Sequence, residues 1–152
     1  MQERERPGGL TALAVINFVF AGFSVLSLLG TAAFFTLVDN IPTDQMDAAQ
    51  RAQIEALQNL GTGALVFIFA INLLSGLLLL LSGIGYLKQQ KVLGWMVGNA
   101  YAVVSIVSSV VSAMMFAREL GGGFNIMTIV GLVYPILTLV LINTTFKEDL
   151  TN

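Results

Sequence analysis

The chain contains no cysteine and no histidine. Without cysteine there are no disulfides, no thiolate metal sites and no thiol redox chemistry. Without histidine the commonest general base and the commonest metal ligand are gone. Charge is also scarce. Seven Lys and Arg and nine Asp and Glu make up 11% of the residues, against about 25% in a soluble domain. The net charge of −2 leaves no electrostatic footprint for nucleic acid. What fills the sequence instead is apolar: 56% of residues are hydrophobic and the mean hydropathy is +0.84. A surface of this composition faces lipid, not water. The 152 residues suit one membrane domain and no second one.

In chain order, Met1 to Gly9 is short and polar, and Pro7-Gly8-Gly9 separates it from an uncharged run, Leu10 to Val38. That run is too long for the apolar core of a secretory signal, about 7–15 residues, so it reads as a retained first span over 10–38. Asp39 to Leu60 is the one sizeable hydrophilic segment. A break at Asn40-Ile41-Pro42-Thr43 supplies a cap, and a helix is expected over 43–60. Its weak apolar stripe (Met46, Ala49, Ile54, Leu57) suits a helix on the membrane surface or an outward extension of the next span. Spans two, three and four are expected over 62–87, 92–117 and 126–146. Lys88 to Lys91 leave only a tight turn between spans two and three, which makes them antiparallel neighbours. Tyr86 and Trp95 flank that turn as an aromatic belt would, and Pro135 should kink span four and free the carbonyl of Gly131.

Span three carries the clearest pattern. Gly94, Gly98, Ala102, Ser105, Ser109 and Ser112 recur at steps of three and four, so they share one helical face. Met96, Val103, Ile106, Val107, Val110, Val111 and Met114 take the other. A small-residue ridge lets helix backbones approach closely in lipid, though it does not say whether the partner is in the same chain or in a second copy.

No ionised side chain falls inside a span. Intramembrane charges mark proton relays, ion paths and substrate sites, so a proton-coupled transporter has no carboxylate to use. Intramembrane proteolysis lacks both a base for a serine and a pair of aspartates. Each span instead holds one asparagine: Asn17, Asn72, Asn99 and Asn143. Such amides either hydrogen-bond between helices or line a polar site; the first is the commoner use. The Asp44 and Asp47 pair outside the membrane reads as a solvated face, and Gly121-Gly122-Gly123 as a turn, since no Lys-Ser/Thr follows it.

Arg6-Pro7-Gly8-Gly9-Leu10-Thr11-Ala12-Leu13-Ala14, together with Gly83-Ile84-Gly85-Tyr86-Leu87, a short basic turn and Gly94-Trp95, resembles small four-span bacterial membrane proteins. The resemblance covers about a fifth of the chain. It implies a bacterial inner-membrane setting and four helices, and brings no activity.

The expectation is therefore an all-α, antiparallel four-helix transmembrane bundle with a short extracytoplasmic amphipathic helix between spans one and two. Arg4, Arg6, Lys88, Lys91 and Lys147 fall on one side and Arg51 and Arg118 on the other, which puts both termini in the cytoplasm. The leading functional expectation is a non-enzymatic protein without cofactor or metal that acts through helix packing, as a homo-oligomer or as a subunit of a membrane assembly. The alternative is a channel or transporter for a neutral or lipidic solute, lined by the intramembrane asparagines and the span-three serines. The two diverge on one observable: a cavity reaching Asn72.

Overall fold

A computed structural model describes residues 7–37, 42, 46–59, 61–119 and 126–150. Among these residues every regular element is helical: α1 (Gly8–Leu37), α2 (Ala48–Asn59), α3 (Gly61–Leu87), a π-helical turn (Lys91–Met96), α4 (Val97–Glu119) and α5 (Ile126–Thr144).

Local chemistry sets the boundaries. α1 starts just after Pro7, whose carbonyl accepts the Leu10 N–H at 3.0 Å; a proline fits the first turn because no N–H is needed there. α2 begins at Ala48, later than the expected 43, because Asp47 supplies the cap: its carboxylate accepts the Gln50 N–H at 2.8 Å. Of the expected cap, Asn40, Ile41 and Thr43 lie outside the described residues, as do Gly121 to Gly123. α3 ends in a left-handed residue, Gln89 (φ 52°). The Gln90 N–H reaches back to the Gly85 carbonyl at 2.9 Å and the Gln89 N–H to that of Tyr86 at 3.3 Å, the bonding pattern of a Schellman cap.

The next helix was expected to run as one α-helix from 92. Its first six residues instead form a π turn, and the Val97 N–H points to the carbonyls of both Gly94 and Val92. Insertions of this kind widen a helix locally; here the turn carries Gly94 onto α3.

Side-chain contacts give the directions of packing. Asn17 meets Ser82, Phe18 meets Gly83 and Ser24 meets Gly76, so α1 and α3 run antiparallel along most of their lengths. Trp95 and Asn99 meet Asn143, and Tyr101 meets Tyr134, so α4 and α5 are antiparallel too. The densest core lies at the end that holds the start of α1, the end of α3 and the end of α5. There Leu10, Leu13, Ala14, Tyr86, Ile142, Phe146 and Leu150 are buried together. Tyr86 is fully buried and does not serve as the interfacial anchor the sequence suggested. Gly98 makes room for it, since a Cβ at Gly98 would collide with the Tyr86 hydroxyl. α5 stops at Thr144 because the next residues turn: the Phe146 N–H bonds the Leu141 carbonyl at 2.9 Å, which brings Phe146 and Leu150 back over the core.

Large apolar side chains face outward along every long helix, among them Val19, Leu29, Val66, Val107 and Val133. In water such a surface would drive aggregation; against acyl chains it has no cost. Gly8–Phe34, Gly63–Leu87 and Lys91–Met114 are each long and apolar enough to cross a bilayer, and Ile129–Thr144 is a shorter apolar stretch.

Candidate functional site

The small-residue ridge turns inward. Gly94, Gly98 and Ala102 are buried and Ser105, Ser109 and Ser112 half-buried; on the bulky face Met96, Val103, Val107 and Met114 are exposed, while Ile106, Val110 and Val111 are half-buried like the serines. The two halves of the ridge have different surroundings. Gly94 sits on Gly85 and Leu150, and Gly98 on Tyr86 and Ile142. Further along lie Ser105 and Ser109. They line a cavity of about 450 Å³ at mid-length of the helices.

All four long helices contribute to this cavity. α1 supplies Phe20, Phe23, Ser24 and Ser27; α3 supplies Ile71, Asn72, Ser75 and Leu79; α4 supplies Tyr101, Ser105, Ser108 and Ser109; α5 supplies Val130, Gly131, Tyr134 and Pro135. None of these residues is charged. Some of the hydroxyls are occupied: Ser24 donates to the Phe20 carbonyl at 3.0 Å and Ser108 to that of Ser105 at 3.1 Å, which leaves their oxygens free to accept. The Asn72 amide and the Ser75 and Ser109 hydroxyls have no hydrogen-bond partner among the described residues. Pro135, which has no N–H to offer the Gly131 carbonyl one turn back, and Gly131 both line the cavity.

A buried polar layer closes one end of the cavity. The Tyr134 hydroxyl donates to the Asn17 side-chain carbonyl. The Asn17 amide donates to Ser82 at 2.7 Å, and Ser82 donates to the Leu79 carbonyl at 3.1 Å. Asn17, Ser82 and Thr138 are all fully buried. Phe20 meets Tyr134 edge-on at 4.8 Å, and Tyr101 lies 6.2 Å from it, so two rings flank the tyrosine that links the layer to the cavity.

A second network sits nearer the π turn. The Trp95 indole N–H donates to Asn143 at 2.9 Å. Asn143 donates to Asn99 at 2.6 Å and to the Leu139 carbonyl at 2.7 Å, and Asn99 donates to the Trp95 carbonyl at 2.8 Å. Two of these bonds, Trp95 to Asn143 and Asn143 to Asn99, tie the π turn and α4 to α5; the other two run back to carbonyls four residues earlier.

The four asparagines therefore do different things. Asn17 closes the layer, Asn99 and Asn143 clamp two helices, and Asn72 alone opens on the cavity. Sequence reasoning missed Ser24, Ser27, Ser75 and the two tyrosines as lining residues. The available signal was the presence of hydroxyls in every span, but their convergence depends on how each helix is rotated. The long apolar helices and lipid-facing exterior make this a helical integral membrane protein. No protein-family model, curated protein or solved structure matches the chain.

Proposed function

We propose that the chain is an antiparallel four-span bundle that holds, and passes across the membrane, a neutral hydrogen-bonding solute or lipidic molecule in the cavity at Asn72. The observation that carries this reading is the unpartnered Asn72 amide on the cavity wall. An amide at membrane depth without a partner costs several kcal/mol, so a polar group of a ligand, or water, completes the site. The lining is uncharged, which disfavours an ion, because low-dielectric surroundings without a counter-charge penalise it heavily. Phe20, Phe23, Ile71 and Val130 give apolar walls beside the hydroxyls, the mixed lining typical of small-molecule sites. The layer of Tyr134, Asn17 and Ser82 acts as the closed gate.

Placement of both termini in the cytoplasm rests on the five Lys and Arg on that side against two on the other. The bacterial inner-membrane setting rests on the resemblance of the entry and turn motifs. A non-enzymatic role follows from spans without ionised, histidine or cysteine side chains. Gly94, Gly98 and Ala102 are covered within a single chain, so a homo-oligomer or larger membrane assembly would meet through other faces.

Native mass spectrometry of protein purified in mild detergent tests the proposal. Wild-type protein should retain a neutral adduct, and Ser109→Phe, which fills the cavity, should lose it at unchanged thermal stability. Adduct-free wild type, or equal retention by a folded Ser109→Phe variant, contradicts the reading.

A further inference from the structure

A second cleft lies at the opposite end of the molecule from the outer helix α2. Lys91, Trp95, Lys147 and Leu150 line a space of about 390 Å³ there. Lys91 opens the π turn and Lys147 follows the end of α5, so two lysines from different parts of the chain line one volume. Neither forms an ion pair among the described residues. Glu148 and Asp149 follow Lys147 in the chain but do not line the cleft. Two like charges beside one cavity repel, and an anion between them relieves that repulsion.

The surroundings identify the kind of anion. The cleft lies where α3 ends and the third apolar stretch begins, which is the depth of lipid phosphates. Trp95, held by its indole bond to Asn143, gives the cleft a rigid amphipathic wall suited to the glycerol region. Val92 and Met96, 59% and 53% exposed, continue from the cleft along the same helix and offer a track for an acyl chain. We infer that this cleft is a binding site for the phosphate headgroup of an anionic phospholipid, held by Lys91 and Lys147 with its chain along Val92 and Met96. A zwitterionic lipid brings its own ammonium into the cleft and is disfavoured.

The test is a titration of the full chain in neutral detergent with short-chain phosphatidylglycerol, phosphatidylcholine and inorganic phosphate. Phosphatidylglycerol should bind in preference to phosphatidylcholine. Lys91→Gln with Lys147→Gln should weaken it about thirty-fold, each lysine near a membrane surface being worth about fivefold, whereas Lys88→Gln, outside the cleft, should change little. Arginine at both positions should restore binding, which separates lost charge from lost folding. Equal binding of the two lipids, undiminished binding by the double glutamine variant, or full competition by inorganic phosphate would overturn the assignment; the last result would identify a soluble anion as the occupant.

Discussion

Gly85 and Gly94 lie backbone against backbone where α3 meets the π turn. A Cβ on Gly85 would come 2.6 Å from the Gly94 Cα and closer still to its nitrogen. Main chain cannot step aside as a side chain can, so Gly85→Ala should cost about 3 kcal/mol, the upper end of ordinary overpacking. A Cβ on Gly94 would first meet the tip of Leu150 at 2.7 Å and then the Gly85 carbonyl group at 3.3 Å. Leu150 can rotate, so Gly94→Ala should cost only about 1 kcal/mol. Unfolding in mixed micelles measures both, and the order of the two values is the prediction.

The Schellman cap after α3 uses a residue poorly suited to it. Gln89 holds φ 52°, a conformation in which a Cβ crowds the following carbonyl at a cost of about 1–2 kcal/mol. Glycine has no such crowding but loses more backbone freedom on folding. Gln89→Gly should therefore stabilise the protein by up to about 1 kcal/mol, read as a rise in melting temperature. A fall would mean that the side chain contributes more than the strain it introduces.

Asn17 accepts from Tyr134 and donates to Ser82. Asn17→Leu strips both partners inside a fully buried layer. Interhelical hydrogen bonds in membranes are worth about 0.6 kcal/mol on average and up to about 1.7, so a loss of about 1–2 kcal/mol is expected. If the layer is a gate, the same change should also raise the leak of small neutral solutes from proteoliposomes. A stable, leak-tight Asn17→Leu variant would assign Asn17 to packing alone.

The apolar helices were legible in the sequence because composition and length decide them, and the inward face of α4 was legible because its small residues keep helical period. The cavity was legible only in part. Asn72 and the span-three serines stood as a possible lining, whereas Ser24, Ser27 and Ser75 sit on two other helices, and only the helices' mutual rotation brings them together. Tyr86 was misread because a tyrosine beside Lys88 suits the interface equally well; the slot beside Gly98 that receives it belongs to another helix. The π turn left no periodic trace, since six residues are too few to distinguish it from α-helix. Among the asparagines the sequence located all four at membrane depth, but pairing Asn99 with Asn143 and leaving Asn72 unpaired required the register between helices.

The central claim is that polar groups on the cavity wall are reachable while the layer beneath them is sealed. The chain's lack of cysteine makes this directly measurable with single substitutions and a small, neutral thiosulfonate reagent. Ser75→Cys and Ser109→Cys on the wall should react at least about tenfold faster than Ser82→Cys and Thr138→Cys in the layer, as thiol reactivity follows exposure. Equal protection at all four positions would contradict the account.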